Sequence, residues 1–437
     1  MNDVPTDARG VGPAMYIIDG ARTPFLKSRN RRGPFAAADL ATDAGRALLL
    51  RQPLAPTDVS EVILGCAAPA PDEVNIGRVV ALRMGCGHHV PGWTVMRNCA
   101  SGMQALDSAM DSMRAGRSDV VLAGGVDALS RAPLLFSDAM VDWLADWYAA
   151  KTFARRASLL TRLKLRDLAP VVGLMKGLTD PNVGLLMGQT AENLAFRFGI
   201  TRGEMDAFAA RSHQRALAAQ RDGRFAREVI ALFDRAGNVH PADDGVREDS
   251  TPERLAKLKP FFDRKYGNVT AGNSSQVTDG AAWLLLATED AVRRLGLTPK
   301  GRIVDVQWAA LDPAQMGLGP VYAATPLLQR NRLALADVDA WEINEAFAAQ
   351  VLACLDAWRD NAFCRDELGL PGALGEIDDG RLNVDGGAIA IGHPVGASGA
   401  RIVLHVLNVL ERTGGRRGIA TICIGGGQGG AMLIERI

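Results

Sequence analysis

Residues 397–426 read ASGARIVLHVLNVLERTGGRRGIATICIGG, and residues 100–125 read ASGMQALDSAMDSMRAGRSDVVLAGG. Each stretch is a small-residue turn, a helix-length segment, an apolar strand-like run and a double glycine, in that order. The helix-length segments differ by only a few residues. The simplest account is a duplicated α/β unit, one copy in each half of the chain.

Outward from these stretches, further strand-like runs bounded by Gly or Pro recur: MYIIDG (15–20), EVILGC (61–66), WLLLAT (283–288) and RIVDVQW (302–308). Between them lie segments of helical spacing such as DLATDAGRALLL (39–50) and GEMDAFAARSHQRALAAQRDG (203–223). Alternation of this kind predicts an α/β fold with buried, largely parallel sheets. The region 134–277, between the two copies, is charge-rich and mixed, and reads as an insertion forming a lid or loop domain. Within it, Lys151, Arg155, Arg156, Arg162, Lys164 and Arg166 occur without an intervening acid. That run fits a solvated helix face, contact with ligand phosphates, a partner subunit or an anionic membrane surface.

At 437 residues the chain is long enough for two or three packed units. With 48% hydrophobic and 22% charged residues it is an ordinary globular composition, which excludes disordered and collagen-like classes. Lys plus Arg and Asp plus Glu both number 49, so no overall field draws the protein to nucleic acid. The six cysteines lack regular spacing, which points to free thiols in a reducing compartment. The N-terminal segment shows no secretory or transit pattern, and the expected location is the cytoplasm.

Two cysteines stand at informative places. Cys99 precedes a predicted helix, where unpaired N–H groups and the helix dipole would lower a thiol pKa and favour a nucleophile; a small buried core thiol is the alternative. In the second copy, GGAIAIGHPVGASGAR (386–401) places His393 three residues before Gly396, the repeat equivalent of Cys99. A pseudo-twofold packing of the halves would bring thiol and imidazole together as nucleophile and base. Cys423, in ICIGGGQGG, reads as a thiol of ordinary pKa at the end of the final strand, suited to proton transfer or else simply a core residue. The following glycines would leave N–H groups free for an oxyanion.

Asn344, in WEINEAFAAQ (341–350), is either a helix N-cap or a site residue. The polar loop GNVTAGNSSQVTDGAA (267–282) is either a turn or a ligand contact. CGHH (86–89) lacks the spacing of a metal site, and no metal is expected.

Taken together, NCASG (98–102), NEAFAAQ (344–350), GGAIAIGHPVGASGAR and CIGGGQGG (423–430) resemble the thiolase family. The resemblance runs from about residue 15 to the C-terminus. It implies a five-layered αβαβα fold of two similar halves, 14–133 with 278–297 and 298–437, plus a loop domain at 134–277 and a tail at 1–13. It also implies roles: Cys99 as acylated nucleophile, His393 as its activating base, and Cys423 as acid/base at the substrate α-carbon. Asn344 would position a water, and the Cys99 and Gly425 N–H groups would form an oxyanion hole. Ser275 and Met187, the latter in LLMGQTAEN (185–193), would line the coenzyme A channel. Coenzyme A is then a substrate, and no permanently bound cofactor is implied.

The segments RLKLRDLAP (162–170), RSHQRA (211–216) and FDRKYGNVTAGNSS (262–275) are similar to those of long thiolases that act as β subunits of fatty-acid oxidation complexes. The implied function is acetyl-CoA C-acyltransferase (3-ketoacyl-CoA thiolase), with acetyl-CoA C-acetyltransferase making or cleaving acetoacetyl-CoA as the alternative. The implied partners are a second copy or three more, and a hydratase/dehydrogenase α subunit. Those β subunits usually carry His where this chain has Asn344, and many relatives carry Asn where it has Asp385. A ketoacyl synthase would not be expected to carry these motifs, and a non-catalytic acyl-CoA binder would have lost Cys99, His393 or Cys423.

Overall fold

The computed structural model describes residues 15–437; the tail at 1–13 lies outside them. The first half begins with β1 (Met15–Arg22), α1 (Ala37–Leu49), β2 (Glu61–Gly65) and α2 (Ile76–Met84). It continues with β3 (Gly92–Val95), α3 (Ser101–Arg114) and β4 (Val120–Ala128). The chain then makes a long excursion through α4 (Asp138–Ala149), α5 (Phe153–Leu160), α6 (Met187–Phe198) and α7 (Arg202–Arg221). It returns as β5 (Thr278–Thr288), which inserts between β1 and β4 of the same sheet.

The second half repeats the order with β6 (Gly301–Ala310), α8 (Gly319–Arg330), β7 (Ala340–Ile343) and α9 (Ala348–Arg359). It closes with α10 (Val395–Thr413), β8 (Arg417–Ile424) and β9 (Gln428–Arg436). The strand orders β3-β2-β4-β5-β1 and β7-β8-β9-β6 match position for position, and a bridge from Leu382 to Trp341 stands where β3 stands in the first half. The two sheets join where Tyr16 and Ile17 pair with Arg302 and Gly301.

The sheets are mixed rather than largely parallel. β5 runs antiparallel to both β1 and β4, and β9 to both β6 and β8. The cause is local for β9: only Gly425–Gly427 separates it from β8, and so short a connection can make a hairpin but no crossover. β9 also means that the run ending at Cys423 is the penultimate strand and not the last.

Most strands are buried on both faces, and alternate residues serve different cores. Ile17, Val121 and Leu284 face the central helices α3 and α10, whereas Ile18, Leu122 and Leu285 face α1 and α2. In the second half Ile422, Met432 and Ile434 face the centre, while Ile419 and Leu433 face α8 and α9. The order is thus helix, sheet, paired central helices, sheet, helix. At roughly 1.5–3 kcal/mol per fully buried aliphatic side chain, these three cores supply the main driving force for the fold.

The central pair crosses at glycines. A β-carbon at Gly102 would lie 2.8 Å from the Gly396 carbonyl oxygen and 2.9 Å from the Ala400 nitrogen; one at Gly399 would lie 2.6 Å from the Met103 nitrogen. Gly102 and Gly399 are repeat equivalents, as are Met103 and Ala400, so the contact is symmetric about the pseudo-twofold. A β-carbon at Gly125 would overlap the Gly396 carbonyl. Backbone-to-backbone contact of this kind leaves no room for a methyl. Gly125→Ala is therefore expected to lower stability by about 1–3 kcal/mol in urea denaturation. Gly177→Ala, where a β-carbon meets nothing within 4 Å, should change it by no more than about 1 kcal/mol.

Candidate active site

The crossing places the starts of α3 and α10 side by side, and the candidate residues Cys99 and His393 stand just before those starts. Asn98 adopts a left-handed backbone (φ 43°), which turns the chain sharply from β3 into α3 and presents Cys99 at the bend. Its side-chain amide donates to the Gly425 carbonyl at 2.8 Å, tying the bend to the glycine turn after β8. Cys99 is half-buried, and the backbone N–H groups of Gly425 and of Cys99 itself favour its thiolate. Met187, at the start of α6, reaches the same turn, with its sulfur 3.2 Å from where a Gly425 β-carbon would stand.

Burial nonetheless pushes the Cys99 thiol up to about 11, with Asp127 adding to the rise against the two N–H groups. The lowered thiol pKa expected from the helix start is therefore not found: loss of solvent outweighs two hydrogen bonds. Cys423, two residues before Gly425 on β8, is fully buried and lies well above the ordinary thiol value, because of burial first and then the neighbouring sulfurs of Cys99 and Cys354. It too departs from the ordinary pKa expected of it. Both sulfurs rest as protonated thiols at neutral pH.

His393 precedes α10 by two residues and is held from the far side of the cleft, its N–H donating to the Gln276 carbonyl at 3.0 Å. Its Nδ1 is 2.6 Å from Ser398 Oγ, and the single Ser398 hydroxyl proton is donated to the Pro394 carbonyl at 2.9 Å. Ser398 must then accept, so Nδ1 carries the imidazole proton and Nε2 presents a lone pair. Nε2 is buried and has no protein partner. Burial, with repulsion from the Arg401 guanidinium, holds His393 at about 4, so the ring is neutral at pH 7.

Asn344 is not a helix N-cap. That place before α9 is taken by Phe347, while the Asn344 backbone N–H donates to Thr421 on β8, two residues from Cys423. Both polar atoms of its fully buried amide are unpaired within the protein, which marks a side chain held for something other than folding. Ser275 is half-buried in the loop that also holds His393 through Gln276, and its N–H donates to the Ala346 carbonyl at 2.9 Å. Among the described residues no group of three His, Cys, Asp or Glu could hold a metal ion.

Four residues here were not picked out from the sequence: Asn98, Ser398, Gln276 and Glu345. Buried Glu345 accepts from Ser212 Oγ (2.6 Å), Asn383 Nδ2 (2.9 Å) and the Ile389 N–H (3.2 Å), and so clamps the turn leading to His393 against the end of β7. Ser398 alone had a legible signal, since it follows His393 by five residues across a helix start.

With this geometry in hand, comparison with known proteins is direct. Residues 15–290 match the family model for the thiolase N-terminal domain, and 297–436 that for the thiolase C-terminal domain. The chain belongs to the thiolase family. A 3-ketoacyl-CoA thiolase of Yersinia enterocolitica is 40% identical over 426 residues, covering 97% of both chains. The crystal structure of a Bacillus anthracis acetyl-CoA acetyltransferase superposes with a TM-score of 0.83 at 35% identity, over 98% of this chain and 99% of that one. Human mitochondrial 3-ketoacyl-CoA thiolase in complex with CoA gives 0.82 at 34%, over 97% and 98%. This thiolase is accordingly an acyltransferase with the fold of its relatives.

The tautomer argument makes a checkable statement. Ser398→Ala removes the acceptor that fixes the His393 ring, and is expected to lower kcat about 10- to 100-fold with little change in KM, measured by steady-state thiolysis.

Proposed function

We propose that this thiolase cleaves 3-ketoacyl-CoA with coenzyme A through an acyl-cysteine intermediate at Cys99, as a ping-pong acyltransferase of fatty-acid β-oxidation. The observation that carries the reading is the tie of Asn98 to the Gly425 carbonyl at 2.8 Å, which sets the Gly425 turn against Cys99, whose thiolate the N–H groups of Gly425 and Cys99 favour. Once that sulfur carries an acyl group, the same two donors are placed for the thioester oxygen as it becomes an oxyanion. The named relatives described above support the same assignment.

In the first half-reaction the Cys99 thiol gives its proton to His393 Nε2 as sulfur attacks the 3-keto carbon. Protonated His393 and a water held by Asn344 stabilise the oxygen that develops charge. The bond between C2 and C3 then breaks, and its electron pair, left on C2, takes the proton of the Cys423 thiol to release acetyl-CoA. In the second half-reaction the Cys423 thiolate takes the proton of incoming coenzyme A, whose sulfur attacks the acyl-Cys99 thioester. The Cys99 thiolate leaves and regains its proton from His393, so all groups return to their starting states. Met187 and Ser275 line the path of the coenzyme, and the region 134–277 covers it as a loop domain. High resting thiol values suit this scheme, since each sulfur must give up a proton only when an acceptor arrives.

The same chemistry run backwards on two acetyl-CoA molecules would make acetoacetyl-CoA, a reading favoured by the likeness to the Bacillus anthracis acetyltransferase. We assign the protein to the cytoplasm, as a homodimer or homotetramer able to join a hydratase/dehydrogenase α subunit. Two copies alone against copies plus that subunit are separable by light scattering of purified mixtures.

Thiolysis of 3-ketoacyl-CoA esters of increasing chain length tests the reading. Activity on long chains is expected, with Cys99→Ala reduced by roughly 10⁴-fold or more and no acyl adduct on residue 99 by mass spectrometry. Absence of cleavage at every length overturns the assignment, and cleavage of acetoacetyl-CoA alone replaces it with the acetyltransferase. The pH dependence follows from His393. Because its folded value lies at about 4, below the ordinary 6.5, the base stays unprotonated down to that range. The acid limb of kcat/KM is therefore expected near pH 4–5 rather than near 6.5, read from initial rates with a second substrate concentration series at each pH.

A further inference from the structure

The starts of α3 and α10 are twins, with Gly396 standing in the second copy where Cys99 stands in the first. The Gly396 N–H donates to the Asp127 carboxylate, which also accepts from the Ala68 N–H at 2.9 Å, the Ala67 N–H at 3.4 Å and the Cys66 thiol at 3.3 Å. Asp127 is fully buried. Burial pushes its carboxyl up, but all four partners are donors, and a helix start favours a negative charge, so the ionised form fits the place. A β-carbon at Gly396 would lie 2.7 Å from the Val126 carbonyl oxygen and 3.0 Å from both Asp127 Oδ2 and the Cys66 Cα. No side chain fits there. The space that receives the thiol in one copy is filled by Asp127 and Cys66 in the other.

Strand register, rather than the double glycines, shows what stands opposite the other helix start. β1 and β6 carry matching bulges, at Ile17/Asp19 and Ile303/Asp305. Just past them Asp19 pairs with Leu285 and Asp305 with Leu433, while Leu285 pairs with Leu122 on β4 and Leu433 with Ile419 on β8. Leu122 and Ile419 are therefore equivalent, and further along the same strands so are Asp127 and Ile424. Ile424 is buried in the central core. It offers no side-chain acceptor, so the N–H of Cys99 is left to serve the sulfur, whereas the N–H of Gly396 is already taken.

We infer that Asp127 is a positioning residue whose carboxylate permanently fills the anion site at the start of α10, leaving the twin site at Cys99 to the substrate oxyanion, and whose grip on Gly396 fixes the segment that carries His393. The inference rests on the thiolysis reading above. His393 is pinned before the helix by the Gln276 carbonyl at 3.0 Å, and three residues on the chain is pinned again by Asp127. Ser398, in the first turn of α10, then orients the ring. Without the carboxylate the helix start would lose its partner in a dry place, where an unmet N–H is costly, and the base would lose its fixed distance from the thiol. Asp127 touches neither sulfur nor ring, so it acts only through Gly396.

Chemical rescue tests this. Asp127→Ala leaves a hole the size of one carboxyl group beside the Gly396 N–H, and formate fits it. In steady-state thiolysis kcat of Asp127→Ala is expected to fall about ten-fold or more with KM changed less than about three-fold. Formate should restore most of the lost kcat, propionate should not, and neither should affect the wild type. Formate should also raise the Tm of Asp127→Ala and not that of the wild type, since it binds the folded variant. Asp127→Asn keeps the volume but turns an amide NH2 toward donors, so it should lose kcat similarly without rescue; it serves alone if Asp127→Ala does not fold. Wild-type kcat in either variant overturns the inference, as does a loss in Asp127→Ala that formate does not reverse. Cleavage of no 3-ketoacyl-CoA by the wild type would sink the thiolysis reading instead, and the Tm response to formate then decides whether Asp127 fills an anion site.

Discussion

The contact of α3 and α10 through bare backbone is the constraint on which the site depends. Helices packed through ordinary side chains keep their axes 8–10 Å apart, and a nucleophile before one helix and a base before the other would then be too far apart to share a proton. Removal of the β-carbons at Gly102 and Gly399 lets nitrogen and carbonyl atoms of the two helix starts meet. Asp127 secures the arrangement: its buried carboxylate accepts the Gly396 N–H at the start of α10 and the Ala68 N–H at 2.9 Å, so the end of β4 holds the helix that follows His393. The pseudo-twofold thus has a chemical purpose, since it turns one duplicated helix start into two different groups, a thiol before α3 and an imidazole before α10.

A dry setting decides the protonation states of those groups. Burial raises Cys99 and Cys423 and lowers His393, which favours the neutral form of each. A resting thiolate–imidazolium pair would carry two charges with little to solvate them, whereas the neutral pair costs nothing until substrate brings a developing oxyanion to the N–H groups. The structure therefore favours a nucleophile created during attack over one stored beforehand.

Much of this was legible in the sequence, because the duplicated ASG–helix–strand–GG order depends on local signals of turn, period and glycine. The positions of Cys99, His393 and Cys423 before or after those elements followed from the same signals. Strand direction did not, since an apolar run such as WLLLAT reads the same way up or down, and β5 reveals its antiparallel course only by pairing with β1 and β4. The thiol pKa was misjudged because a helix start is visible in sequence while the amount of solvent around it is not. Glu345 and Gln276 were missed because their partners lie 31 or more residues away along the chain.

The same limit applies to Asp385, whose partners are visible only in three dimensions. α10 is buried along nearly its whole length, yet it carries Arg401 and His405, and a buried charge needs partners. Arg401 meets Glu342 at 2.8 Å; His405 lies between Glu228, at 3.0 Å, and Asp385, at 3.4 Å, and Asp385 also meets Arg224 and Arg412. Burial alone would lower His405, but Glu228 and Asp385 raise it to about 10, so it is a cation that a neutral Asn at 385 would leave half-compensated. Arg224 and Glu228 belong to the excursion between β4 and β5, so this network ties that excursion to the helix whose first turn positions His393. The carboxylate at 385 is therefore matched to the arginines and histidine of this chain, and its identity follows from them rather than from the thiol chemistry.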